Sequence, residues 1–303
     1  MRSVPLRTAR TLADVLAAAP ADGAAGADLP SLRAGLEAAA CEAVAVGSWH
    51  AGDPLRLTKA VVADLLRCPR RALAPGDGGV NDDVVAGLVV DAAAKLATLV
   101  PQRPPTVEDA CAYLRALGDT TVDDHLADRG DAAGSLLADL RARVARLTAA
   151  WPRIDPGWWP RVEDPVRVRL ADGAVTVGGR IDVVLGGAPT DRPGVLVEVK
   201  GGRWADGMRA DAHLYALLVA LRDGRSPAAV VTVVADGTTQ VEPVRPAVLA
   251  TAADRVERAL TEAAALAAGE APATRPGPHC DHCPARHGCP AAAVGPRVEA
   301  LAG

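Results

Sequence analysis

The chain has 303 residues, of which half are hydrophobic, and its formal net charge at pH 7 is −4. This apolar content suffices for a buried core and excludes a disordered chain, whereas the charge supplies no general attraction to phosphate, so nucleic acid would need a locally positive cleft. No stretch approaches the roughly 20 apolar residues of a membrane span, and the amino-terminal sequence MRSVPLRTARTLADVL lacks a signal-peptide core. We therefore expect a cytoplasmic protein without a membrane partner.

The amino-terminal half of the chain is predicted to be mostly helical. Apolar residues recur there at helical spacing in five segments. A proline-rich sequence, PQRPP, interrupts the series after the third of them. The predicted helices cover residues 31–46, 58–67, 81–100, 107–117 and 132–150.

A change of composition at residues 151–165, WPRIDPGWWPRVEDP, introduces a region of strand-like sequence. Ala171-Asp172-Gly173 is a predicted hairpin turn between the first two strands. The order of elements indicates the α/β class, with a central mixed sheet flanked by helices. The predicted strands are 166–170, 175–185, 195–200, 228–235 and 239–244, and the predicted helices of this region are 208–222 and 246–268.

Two of these strands carry charged residues within apolar runs. Side chains alternate along a strand, so Glu198 and Lys200 share one face, and Asp182 interrupts the preceding apolar strand, where an unpaired charge is costly. Mg²⁺ or Mn²⁺ bound by Asp182, Glu198 and the backbone carbonyl of Val199 would balance the charge, with Lys200 beside the attacking water. The alternative is a solvated Glu198–Lys200 pair and an ordinary carboxylate at Asp182.

The sequence G-x-I-D, then E-x-K-G and a helix carrying Tyr215, resembles the PD-(D/E)XK nuclease superfamily over residues 178–222. The resemblance implies a restriction-endonuclease-like fold and a catalytic set of Asp182, Glu198, Lys200 and Tyr215. Members of the family usually have Gln four residues before the Tyr, whereas Asp211 occupies that position here. His213, on another side of the same helix, is predicted to face the surface or a partner.

The same family usually has a further metal ligand, often His, in the pattern G-x-x-x-H on an upstream helix. Gly87 is present here, but Asp91 stands in place of the His. A carboxylate there suits Mg²⁺ as a hard oxygen ligand, so Asp91 is a candidate ligand. The alternative is an ordinary helix carboxylate paired with Lys95 at i+4.

The tail sequence PGPHCDHCPARHGCP contains C-x2-C-x5-C, and thiolates in such spacing select Zn²⁺ or an iron–sulfur cluster. His282 or His287 would complete a zinc site, whereas a distant cysteine would complete a cluster. LTKAVVADLLRCPRRAL resembles the opening helix and C-P-x-R signature of RecB-like nucleases with a 4Fe-4S cluster, which CRISPR-associated exonucleases and the AddB nuclease domain share. The implied cluster ligands are Cys68, Cys280, Cys283 and Cys289.

Cys41 and Cys111 lie in apolar helical patterns and are predicted to be buried thiols.

Taken together, the resemblance covers residues 56–290 and implies one RecB-like nuclease domain, preceded by a mostly helical extension, 1–55, and followed by a tail, 291–303. It implies a metal-dependent DNA nuclease, specifically an exonuclease on single-stranded or frayed ends that serves repair, recombination or defence. Three arginines near the site are predicted to contact backbone phosphates. They are Arg180, Arg203 and Arg209.

Two other classes of function stay open on the sequence. One is a catalytically weakened DNA-binding module, which the departures at Asp91 and Asp211 favour. The other is a zinc-stapled scaffold for a helicase or repair partner. The chain has no G-x-x-x-x-G-K-[ST] loop, so it carries no ATP motor of that type and would depend on a partner for one.

Overall fold

The structure is a computed structural model that describes residues 10–18, 26–74, 79–202, 204–277, 279–280 and 283–291. Within these residues, no helix is long and apolar enough to cross a membrane. The helices are α1 Leu12–Ala18, α2 Leu29–Gly47, α3 Lys59–Arg67, α4 Pro69–Ala72, α5 Asp82–Leu99, α6 Val107–Ala116, α7 Thr121–Arg129, α8 Ala133–Ala150, α9 Asp206–Asp223 and α10 Pro246–Ala267. The strands are β1 Leu55–Leu57, β2 Arg161–Leu170, β3 Val175–Leu185, β4 Val195–Lys200, β5 Ala229–Val234 and β6 Thr239–Pro243.

Local capping explains why several helices begin where they do. The Thr58 side chain accepts a hydrogen bond from the N–H of Val61 at the start of α3, and Asn81 does the same for Val84 at the start of α5. Thr106 begins α6 with a full capping box. These side chains satisfy N–H groups that the first helical turn leaves without a backbone partner, so sequence alone predicts these boundaries closely.

The chain divides into two compact units, each built from separate segments. The first comprises residues 1–33, 79–168 and 178–252. In it, β3 pairs antiparallel with β4, β4 pairs parallel with β5, and β5 pairs antiparallel with β6. β2 pairs with β3. The predicted α/β class, with a central mixed sheet flanked by helices, is confirmed.

The two faces of β4 have different neighbours. Val195, Val197 and Val199 join the apolar core that α5 also enters. Alternation along the strand turns Glu198 and Lys200 to the other face. Helix α9 contacts both β4 and β5 and is buried continuously over residues 212–220. The charged residues of β4 therefore lie on a face that a buried helix covers.

The second unit comprises residues 34–78, 169–177 and 253–303. Its short strand β1 pairs in parallel with residues 175–177 of β3 and packs against α3. The guanidinium of Arg275 donates hydrogen bonds to the carbonyls of Leu65 and Leu66 at the end of α3, at 3.3 and 3.0 Å. The segment that follows α10 is thus joined to the end of α3.

Four elements were not predicted (α1, α4, α7 and β1), and one strand is longer than predicted. Helix α7 has a polar sequence, TVDDHLADR, and buries only Val122, so its apolar periodicity is weak. Helix α1 and strand β1 are too short for a periodic signal. Strand β2 begins at Arg161 rather than at residue 166, because it continues through Pro165, a residue type that is rarely found inside a strand.

A close backbone approach joins the start of α5 to the end of β4. A Cβ added to Gly201 would lie 2.6 Å from the backbone nitrogen of Gly87, whereas a Cβ added to Gly87 would meet nothing within 4 Å. Only the absence of a side chain at Gly201 permits this contact. The approach fixes the distance between the helix of Asp91 and the strand of Glu198.

We expect Gly201→Ala to lower the free energy of unfolding by about 1–3 kcal/mol, because the added methyl group has only backbone to displace. Gly87→Ala, on the other side of the same contact, is the matched control and is expected to be neutral or stabilising, since Ala favours a helix. Denaturant unfolding of both variants measures the difference. Equal stability of the two would show that the approach is not tight.

Candidate metal-dependent active site

Three carboxylates from three different elements meet in the first unit. They are Asp91 of α5, Glu163 of β2 and Asp182 of β3, and one oxygen from each lies within 4.8 Å of the others. All three residues are partly exposed, so an ion has access from solvent. Carboxylate oxygens grouped in this way are the ligands that Mg²⁺ and Mn²⁺ prefer.

The orientations of Asp182 and Glu198 are fixed by neighbouring donors. Asp182 Oδ2 accepts a hydrogen bond of 2.7 Å from the N–H of Val199. Lys200 Nζ donates to Glu198 Oε2 at 2.9 Å. Glu198 is only 1% exposed, so its pairing with Lys200 is buried and is not a solvated surface pair. Removing one partner of a buried ion pair strongly destabilises the protein, because the other charge stays buried without compensation.

Tyr215 reaches this group from α9 and is 2% exposed. A Cβ on Gly179 would lie 2.6 Å from the Tyr215 hydroxyl, so the phenol rests directly on the backbone before Asp182. Burial raises the pKa of Tyr215 strongly, and the Glu198 and Asp182 carboxylates raise the pKa further. The phenol therefore stays protonated at neutral pH and can donate a hydrogen bond there.

Asp91 combines the two properties that the sequence left as alternatives. It belongs to the carboxylate group, and its Oδ2 is paired with Lys95 Nζ one turn along α5. Its other oxygen, Oδ1, is buried and accepts no hydrogen bond within the described part of the chain. Burial raises the pKa of Asp91 against the opposing effect of Lys95, and Glu163 and Glu198 raise the pKa further.

Lys95 also pairs with Glu163 and so bridges two members of the group. Burial alone would lower the pKa of Lys95, but the Asp91 and Glu163 carboxylates outweigh burial and hold the pKa above its ordinary value. The side chain is therefore a protonated ammonium at neutral pH.

Glu163 is the site residue that the sequence reasoning missed. It lies at a φ of +53°, a left-handed conformation that non-glycine residues rarely adopt. The available signal was the carboxylate pair Glu163-Asp164 directly before a predicted strand. The pair lies in the Trp- and Pro-rich segment 151–165, outside the predicted strand, so it carried no strand signal. The side chain of the adjacent Asp164 pairs instead with Arg161 and Arg222.

The predicted DNA-contacting arginines lie in varied surroundings. The Arg180 side chain is 72% exposed, with Nε 3.0 Å from Glu163 Oε2. Arg209 is half exposed, lies over the Trp204 ring at 6.0 Å and pairs with Glu242 at 3.4 Å. Arg203 lies outside the described residues. Their role in DNA binding stays a prediction.

The prediction that His213 faces the surface is wrong. His213 is 9% exposed, and its Nε2 lies 2.8 Å from Glu242 Oε2 of β6. Helix α9 is buried around most of its circumference, so its side away from Tyr215 packs on the sheet as well. His213 is turned about 200° from Asp211 around the helix, but that side of α9 is buried as well.

In the second unit, the segment that begins at Cys68 contacts the cysteine-rich tail. Cys68 is buried, and its Sγ lies 3.8 Å from the carbonyl oxygen of Ala273. Arg70 Nη2 donates to the carbonyl of Gly288 at 2.6 Å, one residue before Cys289. Burial lowers the pKa of the Arg71 guanidinium, but the Asp64 carboxylate raises that pKa above its ordinary value. Cys283 also interacts with Arg71 and raises the pKa by a smaller amount.

The tail itself is a series of tight turns. The N–H of Gly277 donates to Cys280 Sγ at 3.5 Å, and turn hydrogen bonds follow from Cys283 to the carbonyl of Cys280 and from Cys289 to that of Arg286. Four thiols of this kind fit a thiolate-bound iron or zinc centre in donor type. Of the two histidines proposed for zinc, His287 is exposed and His282 lies outside the described residues.

The two remaining cysteines differ. Cys111 is buried, as predicted. The prediction that Cys41 is buried is wrong, because Cys41 is exposed. Helix α2 buries Leu36, Ala40 and Ala43, and a residue next to Ala40 is turned about 100° away from that side of the helix.

A comparison with family models matches residues 56–290, more than half of the chain, to the PD-(D/E)XK nuclease superfamily. Among solved structures, the crystal structure of SSO0001 is 14% identical with a TM-score of 0.36, covering 85% of this chain and 94% of that one. The crystal structure of "Putative exonuclease" from Eubacterium rectale is 13% identical with a TM-score of 0.44, covering 75% and 87%. TM-scores below 0.5 bear on neither mechanism nor substrate. No curated protein matches the chain.

We expect Glu163→Gln to weaken Mn²⁺ binding at least about tenfold, because the substitution removes one negative charge from the carboxylate group. Asp164→Asn is the matched control, because the carboxylate of Asp164 is next to Glu163 in sequence but pairs with Arg161 and Arg222. Isothermal titration of the two variants with MnCl₂ gives both affinities. Similar affinities would remove Glu163 from the site.

Proposed function

The chain belongs to the PD-(D/E)XK nuclease superfamily, and from this premise we propose that it is a DNA exonuclease, dependent on Mg²⁺ or Mn²⁺, that acts on single-stranded or frayed ends. Family membership implies metal-dependent phosphodiester hydrolysis. The observation that carries the proposal is the meeting of Asp91, Glu163 and Asp182 beside the buried Glu198–Lys200 pair. The residues present fit a hard divalent ion, because their donors are carboxylate oxygens.

Asp91, Glu163 and Asp182, with Glu198 and the carbonyl of Val199, are the groups proposed to hold the ion. When bound, the ion acts as a Lewis acid on the phosphate and lowers the pKa of water. The N–H of Val199 orients the Asp182 carboxylate before any substrate arrives. Positioning of this kind removes a reorganisation cost from the reaction.

Lys200 is the proposed partner of the attacking water and of the charge that develops on the phosphate. Its Nζ is held by Glu198 at 2.9 Å and is 18% exposed, so it is both anchored and accessible. An ammonium in a largely desolvated site stabilises negative charge more than it does in water. Tyr215, which its surroundings keep protonated, contributes a hydrogen-bond donor near Asp182 and Glu198.

The exposed guanidinium of Arg180 and the half-exposed guanidinium of Arg209 are proposed to bind backbone phosphates on either side of the cleavage point. Arg203 is proposed with them on its sequence position. Contacts of this kind position DNA without reading its sequence. A repair, recombination or defence pathway and a helicase partner remain predictions from the sequence.

For the second unit we propose a 4Fe-4S cluster ligated by Cys68, Cys280, Cys283 and Cys289, with Zn²⁺ as the alternative. The support is the set of contacts between residues 65–71 and residues 273–288. A cluster there would close a loop of more than 200 residues. By chain-entropy reasoning such a link is worth on the order of 5 kcal/mol. Its role would be structural.

A catalytically weakened DNA-binding module is the second candidate. The observation that favours it is the pairing of Asp91 with Lys95, which places an ammonium beside a proposed ligand. Such a module would bind DNA ends without cleaving them.

We expect Lys200→Ala and Asp182→Asn to lower the rate of DNA cleavage at least about a hundredfold, because each removes a group that acts on the transition state. The substrates are end-labelled linear single-stranded and double-stranded DNA, with Mg²⁺ or Mn²⁺. Circular single-stranded DNA of the same sequence tests the need for an end.

Lys59→Ala is the control, because Lys59 is the one lysine of the chain that is assigned to neither the carboxylate group nor its ion pairs. Wild-type activity in all three variants would exclude the mechanism. Cleavage of the circle would instead indicate an endonuclease, and binding without cleavage by the wild-type protein would favour the second candidate.

We expect protein purified without oxygen to be brown and to contain four iron atoms per chain, as four thiolates around one cluster require. Cys68→Ser should lose most of the iron, while Cys111→Ser, a buried cysteine in α6, should keep it. Metal analysis by mass spectrometry also measures zinc. One zinc and no iron per chain would replace the cluster with the zinc site.

A further inference from the structure

Lys95 is the most deeply buried basic side chain of the carboxylate site, with 7% of the side chain exposed. It lies on α5, one turn after Asp91, and its ammonium pairs at once with Asp91 and with Glu163, which is 68 residues away in sequence. A pair within one helix is common and weak. The link to β2 is different, because it joins two of the three carboxylates that form the candidate metal group.

The charges of the site can be counted from these residues. Its carboxylates are Asp91, Glu163, Asp182 and Glu198, and its ammonium groups are Lys95 and Lys200. Four negative and two positive charges leave −2, which one divalent ion neutralises. Arg180 also touches Glu163, but its side chain is 72% exposed, so solvent screens most of its charge.

A second divalent ion would meet two obstacles. Two-ion sites hold their ions about 3.5–4 Å apart and need carboxylates to bridge them. Here Asp91 Oδ2 and Glu163 Oε1 are both occupied by the ammonium of Lys95. An ammonium and a divalent ion at that separation repel each other strongly in a poorly solvated site. The available oxygens and the charge balance therefore both favour a single divalent ion at this site.

We propose that the Lys95 ammonium takes the place of a second divalent ion, so that this active site binds one metal ion per chain. The inference rests on the proposed metal site. Lys95 is then a positioning residue, because it holds Asp91 and Glu163 together, so that the group they form with Asp182 binds a single ion. It also determines metal stoichiometry, a property that an ion pair serving only to stabilise α5 would not affect.

The test is a titration with MnCl₂ of protein that keeps its thiolate-bound centre but has been freed of other divalent ions, followed by electron paramagnetic resonance of free Mn²⁺ and by calorimetry. Wild-type protein is expected to bind one ion per chain. Lys95→Met, which keeps the length of the side chain without its charge, is expected to bind a second ion or to bind the first at least about tenfold more tightly. Lys95→Arg, which keeps the charge, should retain one ion.

Lys59→Met is the matched control and should behave as wild type, because Lys59 does not belong to the carboxylate group. Two ions per wild-type chain would overturn the proposal, and this measurement requires no variant to fold. Unchanged stoichiometry and affinity in folded Lys95→Met would also overturn it, while leaving the proposed nuclease function intact. Failure of the wild-type protein to bind Mn²⁺ at all would instead overturn the proposed function, and the inference with it.

Discussion

Like charges crowded beside the interior strands of an apolar sheet are the constraint on which the rest of the first unit depends. Four carboxylates from four elements, α5, β2, β3 and β4, lie close together there, and their mutual repulsion is a cost to the folded state. Every contact around them reduces that cost by a different means: two ammonium groups, the N–H of Val199, and a phenol kept protonated. A charge of −2 still remains, and it would attract the divalent ion proposed for the site.

Backbone packing determines how closely these charges approach. The contact between Gly87 and Gly201 brings α5 to the end of β4, and the contact between Gly179 and Tyr215 brings α9 to the strand of Asp182. In both cases a side chain is missing where another element must pass. The apolar core beneath them contains fully buried Val183, Val197 and Val231, and it holds the strands at fixed register. Local packing therefore sets the distances on which the electrostatics depend.

The parts that sequence predicted are those with local signals. Alternation placed Glu198 and Lys200 on one face, and capping residues such as Asn81 and Thr106 marked helix starts. Glu163 was missed because its place beside Asp182 depends on a left-handed backbone conformation and on tertiary pairing, neither of which has a periodic signature. His213 was misplaced because burial on both sides of α9 depends on the strand β6 that packs there. Periodicity finds elements, but it does not find which side chains from distant elements meet.

The two candidate metal centres also differ in what the fold supplies without them. The carboxylate group lies on strands already joined by backbone hydrogen bonds and a large apolar core, so its geometry does not require an ion to form. The tail cysteines lie on tight turns of 273–289, tied to 65–71 mainly by guanidinium hydrogen bonds such as those of Arg70 and Arg275. Contacts of that kind at a surface contribute little against the entropy of closing a long loop. The thiolate-bound centre proposed for the second unit would therefore have its largest effect on folding, whereas the ion proposed for the first unit would serve chemistry.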